Sequence, residues 1–433
     1  MKRKWWIVGV LVFIELLVCG GILLTLWAGR SAFDGVRFFY VTDTHIEETV
    51  EETFTVDGPA VLDLEADFGN VTVTGSTGDE IEVVARLSLW GADEEDARQQ
   101  ARVEMTQEGN RIIIWVERPE YIFAFVGNTR GSRVDFEIRV PPETSLKLVS
   151  SSGDLAASGI TGAAELETSF GSIEVEDVSG VVSAQSDSGD ITLIGLSDGG
   201  DLEVETNFGK LVLQNITADS LVARSDSGDI RMEEGTLAGV LDLRTNFGSV
   251  IVRDVGAERL TAHSDSGKIQ AEEITLDGDL DLETNFGDVI AEGVVATSYR
   301  LRSGSGGLTL DGCGGSLDLQ TDFGGIEVQN ARDAALMLKT NSGPVFFSGS
   351  LRAEGEHRAE SDFGDVHLVL PANAAFALDA KANLGSVKTE FAVMVTEFEE
   401  KHIVGDVNGG GPLLWLRTGS GDVRLESMTG GSN

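Results

Sequence analysis

Residues 202–213 read LEVETNFGKLVL, and residues 221–232 read LVARSDSGDIRM. Both stretches have a glycine at the same point, Gly209 and Gly228, with apolar residues seven and five before it and two and four after it. Apolar residues two positions apart are typical of a β-strand with one buried face. The pattern therefore indicates a unit of two short strands joined by a turn that contains the glycine.

This unit recurs along most of the chain. A unit so small cannot bury its own apolar face, whereas units stacked about 4.8 Å apart form a continuous core. We therefore predict an all-β fold, a single-stranded β-solenoid (β-helix) of ~19-residue coils. The turn glycines, 18 to 21 residues apart, are Gly171, Gly189, Gly209, Gly228, Gly248, Gly267, Gly287, Gly306, Gly324, Gly343, Gly364 and Gly385.

The residue before the turn glycine alternates between Phe and Ser, as in Phe208, Ser227 and Phe247. Two interpretations remain open: a 19-residue coil whose Phe leans over smaller neighbours, or a 38-residue coil in which Phe stacks on Phe. We favour the shorter coil because every strand position repeats at 19 residues. In both cases we expect Phe208, Phe247 and Phe286 to be buried, since an exposed column would form an unusually large apolar patch.

The turn has further polar positions. An Asp or Asn before the glycine is typical of turns, so we expect Gly228 and its equivalents to adopt positive φ. The stretch SDSGD, at 186–190 and 225–229, is either a Ca²⁺ site or a solvated turn, and we favour the turn because Lys268 replaces the last Asp of the next copy. A column of hydroxyl residues three before the glycine, including Thr206 and Ser225, is either an ice-binding ladder or an inward-facing row. We favour the inward row.

The chain begins with an apolar stretch. Residues 5–29 contain one charged residue, Glu15, and as a helix would span ~37 Å, enough to cross a bilayer. We predict an uncleaved transmembrane anchor over 1–30, with the cytoplasmic end marked by the basic residues at 2–4, followed by a linker at 31–52. A cleaved signal peptide is the alternative. Glu15 is either a functional carboxyl or a neutral one within a simple anchor.

Charge and cysteine content exclude some classes. The 433 residues carry 32 Lys and Arg against 72 Asp and Glu, a net charge of −40. Such a field repels phosphate backbones, so we expect no nucleic-acid partner. Cys19 and Cys313 are too few for a disulfide framework.

The flanks differ from the repeats. Residues 92–106 predict a short helix capped by Asp93, with Ala97, Ala101 and Val103 inward, within an N-terminal cap of the solenoid at 53–150. The repeat solenoid occupies 151–390. Residues 391–433 are predicted to form a C-terminal cap and the last strands, with Phe391, Val393, Val395 and Phe398 packed across the end.

These repeats and flanks, over about residues 50–430, resemble a bacterial β-strand-repeat family of unknown function that is labelled "putative adhesin". The resemblance implies a β-solenoid on the bacterial surface and supplies no catalytic residues. The motifs that carry it are FTV (54–56), LDL (62–64), DFGNVTV (67–73), VPPETSLKL (140–148), SGDL (152–155), NGGGP (408–412) and TGSGDVRL (418–425).

Catalytic motifs do not appear in the sequence. There is no nucleophile elbow, zinc-protease helix or phosphate loop. We therefore predict no catalytic, cofactor-binding or metal-binding residue and no cofactor, and we interpret Cys313 as a core residue. The histidines are scattered: His45, His263, His357, His367 and His402.

The function we predict is a membrane-anchored, extracytoplasmic scaffold, adhesin-like and without catalysis. Its partners would be the membrane, through residues 5–29, and a surface protein or glycan that the sequence does not identify. The alternatives are an envelope-stress or signalling ectodomain coupled through Glu15, and a polysaccharide-acting β-helix enzyme.

Overall fold

The structure, a computed structural model, describes residues 44–118 and 131–428. The described residues divide into two compact units, one within Met1–Glu48, Leu87–Arg102 and Glu117–Arg133, the other within Thr49–Arg86, Val103–Val116 and Val134–Asn433. The predicted anchor at residues 5–29 lies outside the described residues. Within the described ranges, no helix has both the length and the apolar character needed to cross a membrane.

The described residues are almost entirely β-strand, with one short helix, α1 (Glu94–Arg98). The first strands are β1 (Thr44–Thr55), β2 (Val61–Phe68), β3 (Val71–Gly75), β4 (Glu80–Gly91), β5 (Arg102–Glu108), β6 (Arg111–Glu117), β7 (Arg133–Val140), β8 (Ser145–Ser152) and β9 (Leu155–Ser158). The repeats continue with β10 (Ala164–Phe170), β11 (Ile173–Glu176), β12 (Val182–Ser188), β13 (Ile191–Phe208), β14 (Leu211–Ser227), β15 (Ile230–Leu237), β16 (Val240–Phe247), β17 (Val250–Ala257), β18 (Arg259–Ser266), β19 (Ile269–Glu272) and β20 (Thr275–Leu276). Next come β21 (Asp279–Phe286), β22 (Val289–Glu292), β23 (Ser298–Ser303), β24 (Leu308–Asp311), β25 (Gly314–Phe323), β26 (Ile326–Ser342), β27 (Val345–Leu351), β28 (Glu356–Phe363) and β29 (Val366–Pro371). The last are β30 (Phe376–Leu384), β31 (Val387–Thr389), β32 (Val393–Glu399), β33 (His402–Val407), β34 (Leu413–Ser420) and β35 (Val423–Met428).

The second unit is a β-solenoid, as the repeat predicts. Strands that follow the turn glycine pair in parallel with their equivalents in the next coil: Ile191 lies opposite Leu211, and Leu211 lies opposite Ile230. Strands that precede the glycine do the same, and Leu221 lies opposite Leu241. Because each coil between β8 and β28 pairs with the equivalent strand about 19 residues further on, the 19-residue coil is confirmed and the 38-residue coil is excluded.

The core of the solenoid is a set of stacked columns. Leu221, Leu241 and Leu260 follow one another in register and are all inaccessible to solvent. A third corner contributes Val178 and Ile216, which are also buried. Each coil thus covers the apolar face of the one before it, which no single coil could do alone.

The turn glycines are present for a different reason from the one predicted. Of the twelve turn glycines between Gly171 and Gly385, only Gly343 has positive φ, at 155°, so the expectation that Gly228 and its equivalents are left-handed is wrong. A Cβ built on Gly228 would lie 1.9 Å from the carbonyl oxygen of Gly209 in the preceding coil. The same overlap, 1.9 Å, recurs between Gly267 and Gly248. Glycine is therefore required because the backbones of successive coils approach too closely for any side chain.

The left-handed residues lie elsewhere, six positions after the turn glycine, where the chain bends away from the second strand. Asn and Asp tolerate this conformation, whereas Glu is strained in it. The residues with positive φ at this corner are Gly159, Asp177, Gly195, Asn215, Glu234, Asp254, Glu273, Gly293, Gly312 and Asn330.

The helix predicted near residue 93 belongs to the first unit. Asp93 caps it, its side chain accepting a hydrogen bond from the backbone N–H of Asp96. Ala97 and Ala101 are buried, as predicted, while Val103 is only half-buried. In the second unit, β6 pairs in parallel with the edge of β2 that faces away from β8.

The C-terminal strands do not follow chain order. β34 lies between β28 and β30, and it pairs in parallel with both. β33 then joins β30 and β32 in antiparallel pairing. Of the four apolar residues expected to pack across this end, Phe391 is buried, whereas Val395 and Phe398 are exposed.

Candidate functional site: an exposed phenylalanine edge

The turn at each glycine forms one long edge of the solenoid, and six phenylalanines project from it. We call these six residues the phenylalanine edge. Their exposed fractions lie between 64% and 68%, so the expectation that they are buried is wrong. They are Phe170, Phe208, Phe247, Phe286, Phe323 and Phe363.

The outward direction follows from a shift of strand parity at the turn. Thr206, three before the glycine, and Leu211, two after it, are both buried. They are five residues apart, an odd number, so strict alternation is interrupted between them. Asn207 and Phe208 therefore both face outward. If the alternation of the strand before the glycine is simply continued, Phe208 is placed on the buried face, which is the wrong side.

Ser and Phe alternate in space, and not only in sequence. Ser188 lies opposite Phe208, which lies opposite Ser227. The alternation also holds where neighbouring strands are far apart in the chain. Ser152 lies between Phe68 and Phe170, and Ser420 lies between Phe363 and Leu384. Phe68 and Leu384 are 51% and 71% exposed, so they extend the apolar row at both ends.

Behind the phenylalanine edge, a row of buried hydroxyls holds successive coils together. Each donates a hydrogen bond to the carbonyl oxygen of the turn glycine one coil earlier, at 2.7–3.2 Å. The inward row predicted from the sequence is thereby confirmed. The donors are Thr168, Ser186, Thr206, Ser225, Thr245, Ser264, Thr284, Ser303, Thr321, Thr340, Ser361 and Thr418.

Beside the phenylalanines, Asp and Asn form ladders between coils. The amide of Asn207 donates to the carboxylate of Asp187 over 3.1 Å, and that of Asn246 to Asp226 over 3.0 Å. On the other side, the carboxylate of Asp190 accepts the backbone N–H of Lys210 over 2.8 Å. In each row, an Asp carboxylate thus accepts a hydrogen bond from the next coil, either from an Asn side-chain amide or from a backbone N–H.

Two further observations concern the carboxylates and other titratable side chains of the described residues. No group of three metal-ligating side chains occurs among residues 44–118 and 131–428. The pKa of Asp422 is lowered because its carboxylate accepts hydrogen bonds from the backbone N–H and the hydroxyl of Ser386. These hydrogen bonds favour the ionised form of the Asp422 carboxyl.

The histidines are dispersed through the described part of the chain. His45 stacks on Trp90 with 4.3 Å between ring centroids, and His402 contacts Asp379 over 2.8 Å. His263 lies 3.3 Å from Asp265, and His367 lies 3.2 Å from Glu426. His357 is fully buried, and its Nε2 lies 3.0 Å from the carbonyl oxygen of Arg352.

Cys313 is buried, as the sequence suggested. Burial raises the pKa of its thiol to about 12, so the thiol is protonated and a poor nucleophile at neutral pH.

Comparisons with known proteins identify one family. The family described as Toastrack DUF4097 matches residues 61–289 and 253–361. No curated protein matches the chain significantly.

Two solved structures are similar to parts of the chain. A "putative cell adhesion protein" from Clostridium sporogenes ATCC 15579 is 10% identical with a TM-score of 0.16, covering 88% of this chain and 100% of its own. A "putative adhesin" from Bacteroides fragilis NCTC 9343 is 14% identical with a TM-score of 0.28, covering 65% and 97%.

Proposed function

Since the chain belongs to the Toastrack DUF4097 family, we propose that it is a non-catalytic, adhesin-like interaction scaffold of the bacterial cell envelope. Residues 5–29 anchor it in the membrane, and the solenoid lies on the extracytoplasmic side. The observation that carries this proposal is the phenylalanine edge. A soluble surface rarely exposes so much regularly spaced apolar area unless it binds something.

The size of the edge supports a binding role. A phenylalanine side chain contributes ~150–250 Å² when fully buried. Six of them, each about two-thirds exposed, leave ~600–1,000 Å² of apolar surface in one row. Typical monomers have a largest apolar patch of ~300–600 Å², and a stable interface covers ~800 Å² on each partner. The edge alone is therefore large enough to form a specific contact.

The binding test compares two triple variants of the full chain. Phe208→Ser, Phe247→Ser and Phe286→Ser remove the centre of the edge. The matched control, Val181→Ser, Val295→Ser and Met337→Ser, removes three exposed apolar side chains from other positions. Both are titrated against cell-envelope fractions, protein and glycan separately. We expect the edge variant to bind at least ~10-fold more weakly than the wild type, and the control to bind normally. Equal binding by both variants contradicts the proposal.

Anchoring has its own test. The sequence of residues 5–29 supports an uncleaved helix that remains part of the mature protein. N-terminal sequencing of chain extracted from membranes should therefore begin near Met1. A mature N-terminus near residue 30, or recovery of the chain without membrane extraction, contradicts the anchor.

A further inference from the structure

The charge around the phenylalanine edge and the spacing of its side chains indicate what kind of partner it binds. Resting on the proposed function, we propose that the edge binds a cationic, proline-rich segment of another envelope protein. The segment adopts the polyproline II conformation and presents an apolar side chain at every third residue. The aspartates beside the edge indicate that the segment is positively charged, and the spacing of the phenylalanines indicates its conformation.

Charge excludes several other occupants. The positions two before and one after the turn glycine flank the phenylalanines on both sides. Between residues 154 and 365 the cations at these positions are Lys210 and Lys268. A second copy of the chain, an anionic lipid surface and a nucleic acid would all be repelled, whereas a cationic segment would be attracted. The acidic residues there are Asp154, Asp187, Asp190, Asp226, Asp229, Asp265, Asp288, Asp322, Asp362 and Asp365.

The spacing selects the conformation. Neighbouring phenylalanines of the edge are two coils apart, ~9.6 Å at ~4.8 Å per coil. A polyproline II helix has three residues per turn and rises ~3.1 Å per residue, so every third side chain lies on one face at ~9.3 Å intervals. Over the five intervals between Phe170 and Phe363 the mismatch accumulates to only ~1.5 Å.

Other conformations match less well. An α-helix repeats its face every seven residues, or ~10.5 Å, which drifts ~4.5 Å over the same five intervals. A β-strand repeats its face every ~6.7 Å, and its next repeat is ~13.4 Å. The polyproline II helix also leaves its backbone groups solvated, so it does not need hydrogen bonds from the edge.

The alternation with serine completes the fit. Ser188, Ser227 and Ser266 lie in register between the phenylalanines and leave gaps about one coil wide. Proline-rich segments in the polyproline II conformation generally dock in grooves lined by aromatic side chains. In this solenoid the apolar side chains would enter the serine gaps and the basic residues would face the aspartates.

The experiment uses synthetic peptides as probes. The full chain, held in phosphatidylcholine nanodiscs, is titrated with fluorescent (Leu-Pro-Lys)₆, and binding is followed by anisotropy. Three matched peptides test each element: (Ser-Pro-Lys)₆ removes the apolar groups, (Leu-Pro-Glu)₆ inverts the charge, and (Leu-Pro-Pro-Lys)₅ changes the period to four residues. Nanodiscs without protein give the background.

We expect (Leu-Pro-Lys)₆ to bind at least ~10-fold more tightly than each of the other three, and more weakly as salt is raised. The triple Phe→Ser variant of the edge should lose this binding, while the Val181/Val295/Met337 control should keep it. Thermal unfolding of both variants checks that they are folded.

Four outcomes overturn the inference. Equal binding of the four-residue-period peptide removes the spacing argument. Equal binding by the edge variant places the site elsewhere. A wild-type dimer in sedimentation that dissociates in the edge variant shows that a second copy occupies the edge. If the peptides fail while envelope binding still requires the phenylalanines, the proposed function stands and only this inference falls.

Discussion

At the turn, the close packing of neighbouring backbones, rather than conformational freedom, determines which residue occupies a position. Gly228 has an ordinary backbone conformation, yet no side chain fits there because the carbonyl oxygen of Gly209 is too near. Gly256, by contrast, has no atom within 4 Å of its would-be Cβ and no positive φ. The two glycines therefore offer a direct comparison.

We predict that Gly228→Ala lowers the free energy of unfolding by at least ~1–3 kcal/mol, as overpacking against backbone typically does. Gly256→Ala should be neutral or stabilise by up to ~1 kcal/mol, because it restricts the unfolded chain. Urea unfolding of both variants measures the difference. Equal midpoints would mean that the coils do not approach as closely as the structure shows.

His357 gives a pH dependence. It is buried, and burial lowers the pKa of its imidazole, so the folded state favours the neutral ring. The unfolded chain protonates this residue near pH 6.5 and thus binds more protons below that pH. The stabilisation from neutral His357 is therefore present above pH 6.5 and is lost as pH falls below it.

We expect the free energy of unfolding of the wild type to fall between pH 7 and pH 5, by up to ~1.4 kcal/mol per pH unit from this residue. The slope should be shallower in His357→Gln. Identical slopes in the two proteins would show that His357 is protonated without cost in the folded state.

At the scale of the element, ten successive coils have a left-handed residue at the corner six positions after the turn glycine, from Gly159 to Asn330. Gly, Asn or Asp occupies this corner in several coils, whereas Glu234 and Glu273 occupy it in two. Glu234 has a φ of 56°, which costs a residue other than Gly roughly 1–2 kcal/mol. The corner is thus a site of stored local strain.

We predict that Glu234→Gly stabilises the protein by ~0.5–1 kcal/mol, because glycine relieves this strain while adding some chain entropy to the unfolded state. The matched change Glu283→Gly, on an exposed strand residue without positive φ, should destabilise by ~0.5–1 kcal/mol. Thermal unfolding gives both signs. Two destabilised variants would argue against a left-handed Glu234.

At the scale of the whole solenoid, each coil contacts only its neighbours, so a defect should stay local. Leu243 is fully buried between the coils of Leu221 and Leu260, whereas Phe247, four residues on in the same strand, is 66% exposed. A substitution at Leu243 therefore tests the packing between coils, whereas a substitution at Phe247 tests the exposed surface.

Leu243→Ala should cost ~2–5 kcal/mol, and Phe247→Ser less than ~0.5 kcal/mol. In Leu243→Ala, hydrogen exchange should rise in β14, β16 and β18 and remain low in β28, six coils away from Leu243. Protection lost uniformly along the chain would contradict nearest-neighbour stability. A large cost for Phe247→Ser would mean that its ring packs between coils after all.

The sequence by itself determined the solenoid, the 19-residue coil and the inward hydroxyl row. These features depend on periodicities, two within a strand and 19 between coils, and a periodicity is visible without knowing how the chain bends. Thr245 and its equivalents share the parity of the inward strand residues, and that parity continues unbroken up to their position.

Only the tertiary structure decided what happens at the bend and at the end of the stack. Between Thr206 and Leu211 the parity shifts, so Phe208 turns outward, and the tight approach of neighbouring coils explains Gly228. The insertion of β34 between β28 and β30 brings Ser420 between Phe363 and Leu384. Local patterns do not encode these relations, because they arise from contacts between backbones that are distant in sequence.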